Sequence, residues 1–269
     1  MIAKVKAAGA NEVVQYGATW KDADTYMRDT VIRKAEERGE VGVAVHPFDD
    51  PAVWEGNKTL VDELDEQFEE IGESGGPDVV VCSVGGGGLF NGVVQGAERR
   101  EDWGTTVLAV ETKGADSLAQ AVEKGELVTL TGITSLATSL GATRVSERSF
   151  ELAQKHRKSG KVKNAVLTDA EAAMGCWRFA DDERMLVELA CGVNIALCYG
   201  GRLEKALGRP VRINETVVIV VCGGQNITTA MLEGWRQEYG DMDKEVNGAQ
   251  QIADVPSAAT AANGVNGVT

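Results

Sequence analysis

The hydrophobic pattern changes period several times along the chain, and each change marks an element. Residues 1–9 place Ile2, Val5, Ala7 and Ala8 at helical spacing before Gly9, and residues 12–16 read as a short strand. Residues 20–38 bring Ala23, Tyr26, Met27, Thr30, Val31 and Ala35 round at helical spacing among charges until Gly39 stops the run. Residues 41–45 read as a strand and residues 46–51 (HPFDDP) as a loop fixed by two prolines. Residues 58–71 then carry a helical stripe of Leu60, Val61, Leu64, Phe68 and Ile71.

Two fully apolar runs follow, residues 79–84 and 217–222, and both end in glycine. Shorter strands are predicted at 107–110, ending in Glu111, and at 165–167. Helical patterns start at Leu89 and occupy 115–124, 150–157, 170–180, 189–206 and 228–239, while 131–141 (TGITSLATSLG) reads as a small-residue loop or short helix. The 189–206 segment is crowded with Ala190, Gly192 and Ala196, which permits close backbone packing. After Asp241 the period disappears, and residues 241–269 are expected to be disordered.

Strands separated by helices imply an α/β fold, a mainly parallel sheet with helices on both faces. Ligands of such sheets sit at the carboxyl ends of the strands. Gly85, Gly86, Gly87 and Gly88 emerge on that rim, together with Glu111, Gly223 and Gly224. Each glycine costs about 1 kcal/mol relative to alanine in regular structure, so four in a row need a reason. Backbone N–H groups closing around an anion at a helix N-terminus supply one. A tight strand-to-helix turn is the plainer alternative, but it needs only one or two glycines.

Composition narrows the chemistry. A hydrophobic content of 43% over 269 residues suffices for a core. No apolar run approaches the roughly 18–20 residues of a membrane span, and the N-terminus lacks the apolar core of a secretory signal. A net charge of −14 argues against nucleic acid or an anionic membrane as the main partner. The five cysteines form no CxxC pair, which suits a reduced, cytoplasmic protein. Two histidines, His46 and His156, without metal-ligand spacing leave little for zinc or Ser-His-Asp chemistry.

The segments HPFDDPAVWEGN, SVGGGGL, VETKGADS, ITSLATSLG, VELACG and VVCGGQN occur here in the order seen in L-serine and L-threonine dehydratases. Residues 1–240 thus resemble that family of pyridoxal-phosphate (PLP) enzymes, whose fold type II is shared with the tryptophan synthase β chain. The resemblance implies a remnant of the small domain over 1–45 and a large PLP-binding domain over 46–240. It implies that Gly85 to Gly88 hold the cofactor phosphate, that Ser139 borders the cofactor and that Cys222 sits against the pyridine nitrogen. It also implies a monovalent-cation site, for an ion such as potassium, from Glu111, Ser117 and backbone carbonyls around Gly85, Ala115, Leu140 and Ala142. On the residues alone, Glu111 reads equally well as a strand-end group capping a nearby helix. The implied reaction is α,β-elimination of a small amino acid to a 2-oxo acid and ammonia, by a homodimer.

Two departures qualify this. The family's Schiff-base lysine lies in an S-[FY]-K-x-R-G motif and its substrate carboxylate in S-x-G-N, and neither occurs in residues 1–269. Lys4, Lys6, Lys21, Lys34 and Lys58 sit on helical patterns among charges and are expected at the solvated surface, so no catalytic residue is assigned. The expectation is an N-terminally truncated form of the family enzyme. The alternative is a non-catalytic PLP- or phosphate-binding pseudoenzyme acting through dimerisation. A nucleotide-binding domain is a weaker reading, because GGGG is not GxGxxG and no Walker lysine follows.

Overall fold

The order of elements follows from where caps and glycines interrupt the hydrophobic pattern. In the computed structural model, residues 2–18, 20–73, 75–100 and 103–242 are described. The N-terminal part holds α1 (Ile2–Ala7), α2 (Trp20–Tyr26), a π-helical turn (Met27–Ile32) and α3 (Arg33–Glu37), none of which buries a residue. Next come α4 (Pro51–Glu70), β1 (Val79–Ser83), α5 (Gly88–Glu98), β2 (Thr106–Thr112) and α6 (Ser117–Lys124). A 3-10 turn (Thr138–Leu140) precedes α7 (Glu147–Arg157), β3 (Val162–Leu167), α8 (Asp169–Glu183) and α9 (Leu189–Ile195). Finally come α10 (Arg202–Leu207), β4 (Val217–Ile219) and α11 (Thr229–Tyr239).

The four strands form one parallel sheet in the order β3-β2-β1-β4. From β1 the chain builds outward through β2 and β3, then returns to the other side of β1 for β4. The order therefore reverses at β1, which puts the ligand-binding crevice of such sheets at its carboxyl end. Alternation along β1 serves two cores. Val79 and Val81 face Leu108, Met174, Trp177 and Val193 on one side, while Val80 and Cys82 join Phe90, Val93, Leu118 and Leu152 on the other. Burying each large apolar side chain contributes about 1.5–3 kcal/mol, so both faces hold the rim rigidly.

Several elements differ from the reading of the pattern alone. Helix α4 begins at Pro51, not at residue 58, because Asp50 caps it by accepting from Ala52 N at 2.8 Å and proline suits the first helical position. Residues 12–16 and 41–45 form no strand. Their pattern suits a pleat, but no neighbour among the described residues pairs with them, and Val41, Val43 and Val45 stand exposed. The expected 189–206 helix ends at Ile195, tightens to a 3-10 turn (Ala196–Cys198) and restarts as α10 after Gly200 and Gly201, both with positive φ. Lys58 is buried, with its ammonium on Glu55. Of the expected disordered stretch, residues 243–269 lie outside the described residues.

At the amino end of the sheet, Glu215 ties the turn before β4 together. Its carboxylate accepts from Arg209 Nη1 and from Arg212 N at 2.8 and 2.9 Å, and the Arg209 guanidinium foremost pulls its pKa down to about 2. A depressed carboxylate contributes stability that is complete above its ordinary value of 4.5 and is lost as the pH falls toward about 2. Glu215→Gln is therefore expected to flatten the acid limb of the stability profile. Urea midpoints taken above and below the ordinary carboxylate pKa read this directly.

Candidate active site

The turn after β1 is built so that backbone, not side chain, faces outward. Gly87 is the N-cap of α5 with φ 100°, and no side chain caps that helix. Among the described residues no protein acceptor takes an N–H of Gly85, Gly86, Gly87 or Gly88. These unpaired donors at a helix N-terminus suit an anion. Side chains are excluded because neighbours crowd the turn from behind. A Cβ at Gly86 would overlap the Phe48 ring, one at Gly87 would overlap Ser149 Oγ, and one at Gly85 would lie 3.1 Å from Leu140 Cα.

A buried polar cluster braces the turn. Ser146 N donates to Gly86 O at 3.0 Å, Asn91 Nδ2 to Ser146 Oγ at 3.1 Å and Ser149 Oγ to Asn91 Oδ1 at 2.7 Å. Phe48, Asn91, Ser146 and Ser149 escaped the sequence reading. The one local signal was the Ser-x-x-Ser cap that starts α7, where Ser149 N donates to Ser146 Oγ at 3.2 Å.

The other rim residues converge from three directions. The turn carrying Ser139 is anchored where Ser135 Oγ donates to Asp169 Oδ1 at 2.6 Å and Leu136 N to Asp169 Oδ2 at 2.8 Å. Asn226 Nδ2 donates to Thr138 Oγ1 at 3.0 Å, which joins this turn to the segment that follows Cys222. Helix α9 lies along that segment: Glu188 N donates to Gly223 O at 2.9 Å and Asn194 Nδ2 to Val220 O at 3.0 Å. Glu188, at the head of α9 and also missed by sequence, accepts from Asn226 N at 2.8 Å. Cys222 stands exposed on the rim, yet partial desolvation first, then Cys191 and Glu188, pushes its thiol up from the ordinary range, which keeps it neutral at physiological pH.

Glu111, at the end of β2, is completely buried. Its two oxygens accept from Leu118 N at 2.8 Å and Ala119 N at 2.7 Å, so it caps α6. Burial pushes its pKa up to about 8 despite those two hydrogen bonds. At the first residue of α6, next to Leu118, Ser117 Oγ is buried without a hydrogen-bond partner. The Leu140 carbonyl accepts from Ala142 N at 2.8 Å, and Ala115 N donates to Thr112 O. No cluster of three or more His, Cys, Asp or Glu is placed to hold a metal ion among the described residues. No helix among them is long and apolar enough to cross a membrane.

A parallel α/β sheet with an N–H-lined glycine turn at its switch point defines the class of protein suited to a phosphorylated ligand at the carboxyl ends of its strands. The sequence model of the family described as pyridoxal-phosphate dependent enzyme matches residues 1–223, and the chain belongs to that family. It is 40% identical over 232 residues to an L-serine dehydratase of Saccharomyces cerevisiae strain AWRI1631, covering 85% of this chain and 67% of the relative. It is 42% identical over 230 residues to the L-serine dehydratase/L-threonine deaminase of Rattus norvegicus, covering 83% and 60%. The crystal structure of a fungal L-serine ammonia-lyase from Rhizomucor miehei superposes with a TM-score of 0.76 at 32% identity, over 88% of this chain and 70% of that one. The fold is thus that of fold type II PLP enzymes, as the resemblance implied. The unpaired N–H groups of residues 85–88 fit the cofactor's phosphate.

Proposed function

We propose that this chain acts as a PLP-dependent ammonia-lyase: the α-proton and β-hydroxyl of L-serine, or L-threonine, leave as water, and the released enamine takes water up again to give pyruvate or 2-oxobutanoate and ammonia. The carrying observation is the glycine turn with its unpaired N–H groups at the head of α5. It supports a phosphate anchor at Gly85, Gly86, Gly87 and Gly88, where the α5 dipole adds to the hydrogen bonds. When bound, the cofactor supplies an electron sink for the pair left by the α-proton. In this reading Ser139 borders the ring, and the neutral Cys222 thiol meets its nitrogen without adding charge. The division into a small-domain part, 1–45, and a cofactor domain, 46–240, belongs to the same reading, as does a homodimer. Five free cysteines accord with a reducing, cytoplasmic setting.

The same reading includes a potassium-type cation held by Glu111, Ser117 and the carbonyls of Gly85, Ala115, Leu140 and Ala142. The buried, unpartnered Ser117 hydroxyl supports it, since hard cations take oxygen ligands. Glu111→Ala leaves the N–H groups of Leu118 and Ala119 without acceptors, an expected loss of about 2–5 kcal/mol in denaturant titration. It should also abolish any stabilisation by potassium chloride over tetramethylammonium chloride. A potassium response retained in the variant removes Glu111 from the site.

A second reading is a protein that holds the cofactor without turning over substrate. Mixing the purified chain with PLP and serine separates the two. Pyruvate formed faster than by free PLP supports the lyase. Tight PLP binding with no pyruvate, and no lysine adduct after borohydride reduction, supports the second reading. No PLP binding sinks both.

A further inference from the structure

The amino end of the sheet, opposite the glycine turn, carries a cleft of about 410 Å³ that the proposed reaction does not use. Its volume lies in the range of small-molecule sites, about 300–1,000 Å³. Val94, Ala97, Trp103, Val107 and Val162 form its apolar walls, drawn from α5, the segment before β2 and the first residues of β2 and β3. All but Ala97 are buried, so the walls are packed side chains rather than exposed loops.

The charged groups at the mouth are not equivalent. Glu98 is already engaged, by Lys155 Nζ at 2.7 Å and His156 Nε2 at 2.6 Å, and these partners hold its carboxyl below the usual range against the effect of burial. Lys161 also lines the cleft, and its ammonium has no acidic partner among the described residues. Among the described residues Glu98 is the one carboxylate lining the cleft and is paired twice over, so the charge these residues leave for a ligand is positive. The apolar walls and the free ammonium together describe an amphipathic anion.

We propose that this cleft is a second ligand site, for a small carboxylate with an aromatic or branched apolar body. The carboxylate meets Lys161 and the body lies against Trp103, Val94 and Val162. The site needs neither the cofactor nor turnover, so it stands or falls apart from the lyase reading. Helix α5 joins the two ends: Gly88 opens it at the glycine turn, and Ala97 and Glu98 close it at the cleft.

The test uses 3-phenylpropionate as probe and 2-phenylethylamine as its cationic counterpart, on the full chain without PLP, by calorimetry and saturation-transfer NMR. The carboxylate is expected to bind, and the amine to bind at least about tenfold more weakly, since a hydrogen bond to a charged group contributes about 1.5–3 kcal/mol. Lys161→Glu changes an exposed side chain and is expected to lower the affinity by about tenfold or more. Ala97→Phe should fill the cleft and exclude the probe, with circular dichroism confirming the fold. Equal binding of amine and carboxylate, no binding of the carboxylate, or binding unchanged in both variants overturns the proposal.

Discussion

Gly87→Ala is expected to weaken PLP binding by about a hundredfold or more, read by absorbance titration or equilibrium dialysis, while the sheet stays folded. Two effects combine. At φ 100° an alanine pays roughly 1–2 kcal/mol of backbone strain. Its Cβ also overlaps Ser149 Oγ, which is itself bonded to Asn91 and cannot retreat without breaking that cluster. The turn is expected to open, and the N–H groups of residues 85–88 then lose their common focus. Ser149→Ala added to Gly87→Ala removes the Oγ overlap but leaves Ser149 Cβ at 2.9 Å and the backbone strain, so it should restore binding only in part. Gly85→Ala, which meets Leu140 Cα at 3.1 Å without positive φ, is expected to be milder. Wild-type PLP affinity in Gly87→Ala would refute the phosphate anchor.

The second large effect lies in the core. Gly192→Val is expected to destabilise the chain by about 3 kcal/mol or more, with loss of soluble protein. A Cβ at Gly192 overlaps Cys176 Sγ and Ala172 O, and one at Gly175 overlaps the Gly192 carbonyl, so α8 and α9 meet backbone to backbone. Forcing them apart moves α9 and with it Glu188 and Asn194, which position the segment after β4. Gly234→Ala is the control. It lies inside α11 with open space around its Cβ, so there alanine should stabilise by about 0.5–1 kcal/mol. Urea midpoints that move the same way in both variants would remove the close-packing argument.

Much of the centre was legible because its signals are local. The apolar runs that became β1 and β4, the four glycines after β1 and the helical stripes between strands each depend on residues within one element. Glu111 kept both of its readings open in sequence. The structure shows the cap on α6, only seven and eight residues away, and the cation reading remains a proposal. Short apolar stretches of the kind that marked β1 misread residues 12–16 and 41–45, because a strand is completed by a neighbour's hydrogen bonds and none among the described residues pairs with them. Proline at 51 looked like a loop until the Asp50 side chain showed it to be the start of a helix.

By itself the sequence determined the α/β class, the parallel sheet and the glycine turn after β1, since hydrophobic period and the steric freedom of glycine act within a few residues. The tertiary structure alone decided the strand order β3-β2-β1-β4, and so which strand end becomes the switch point. It also placed Phe48 and Ser149 behind the glycines, Glu188 beside Asn226, and the cleft at the far end of α5. Those arrangements come from contacts between residues tens of positions apart, where neither period nor propensity carries information and only packing chooses the partner.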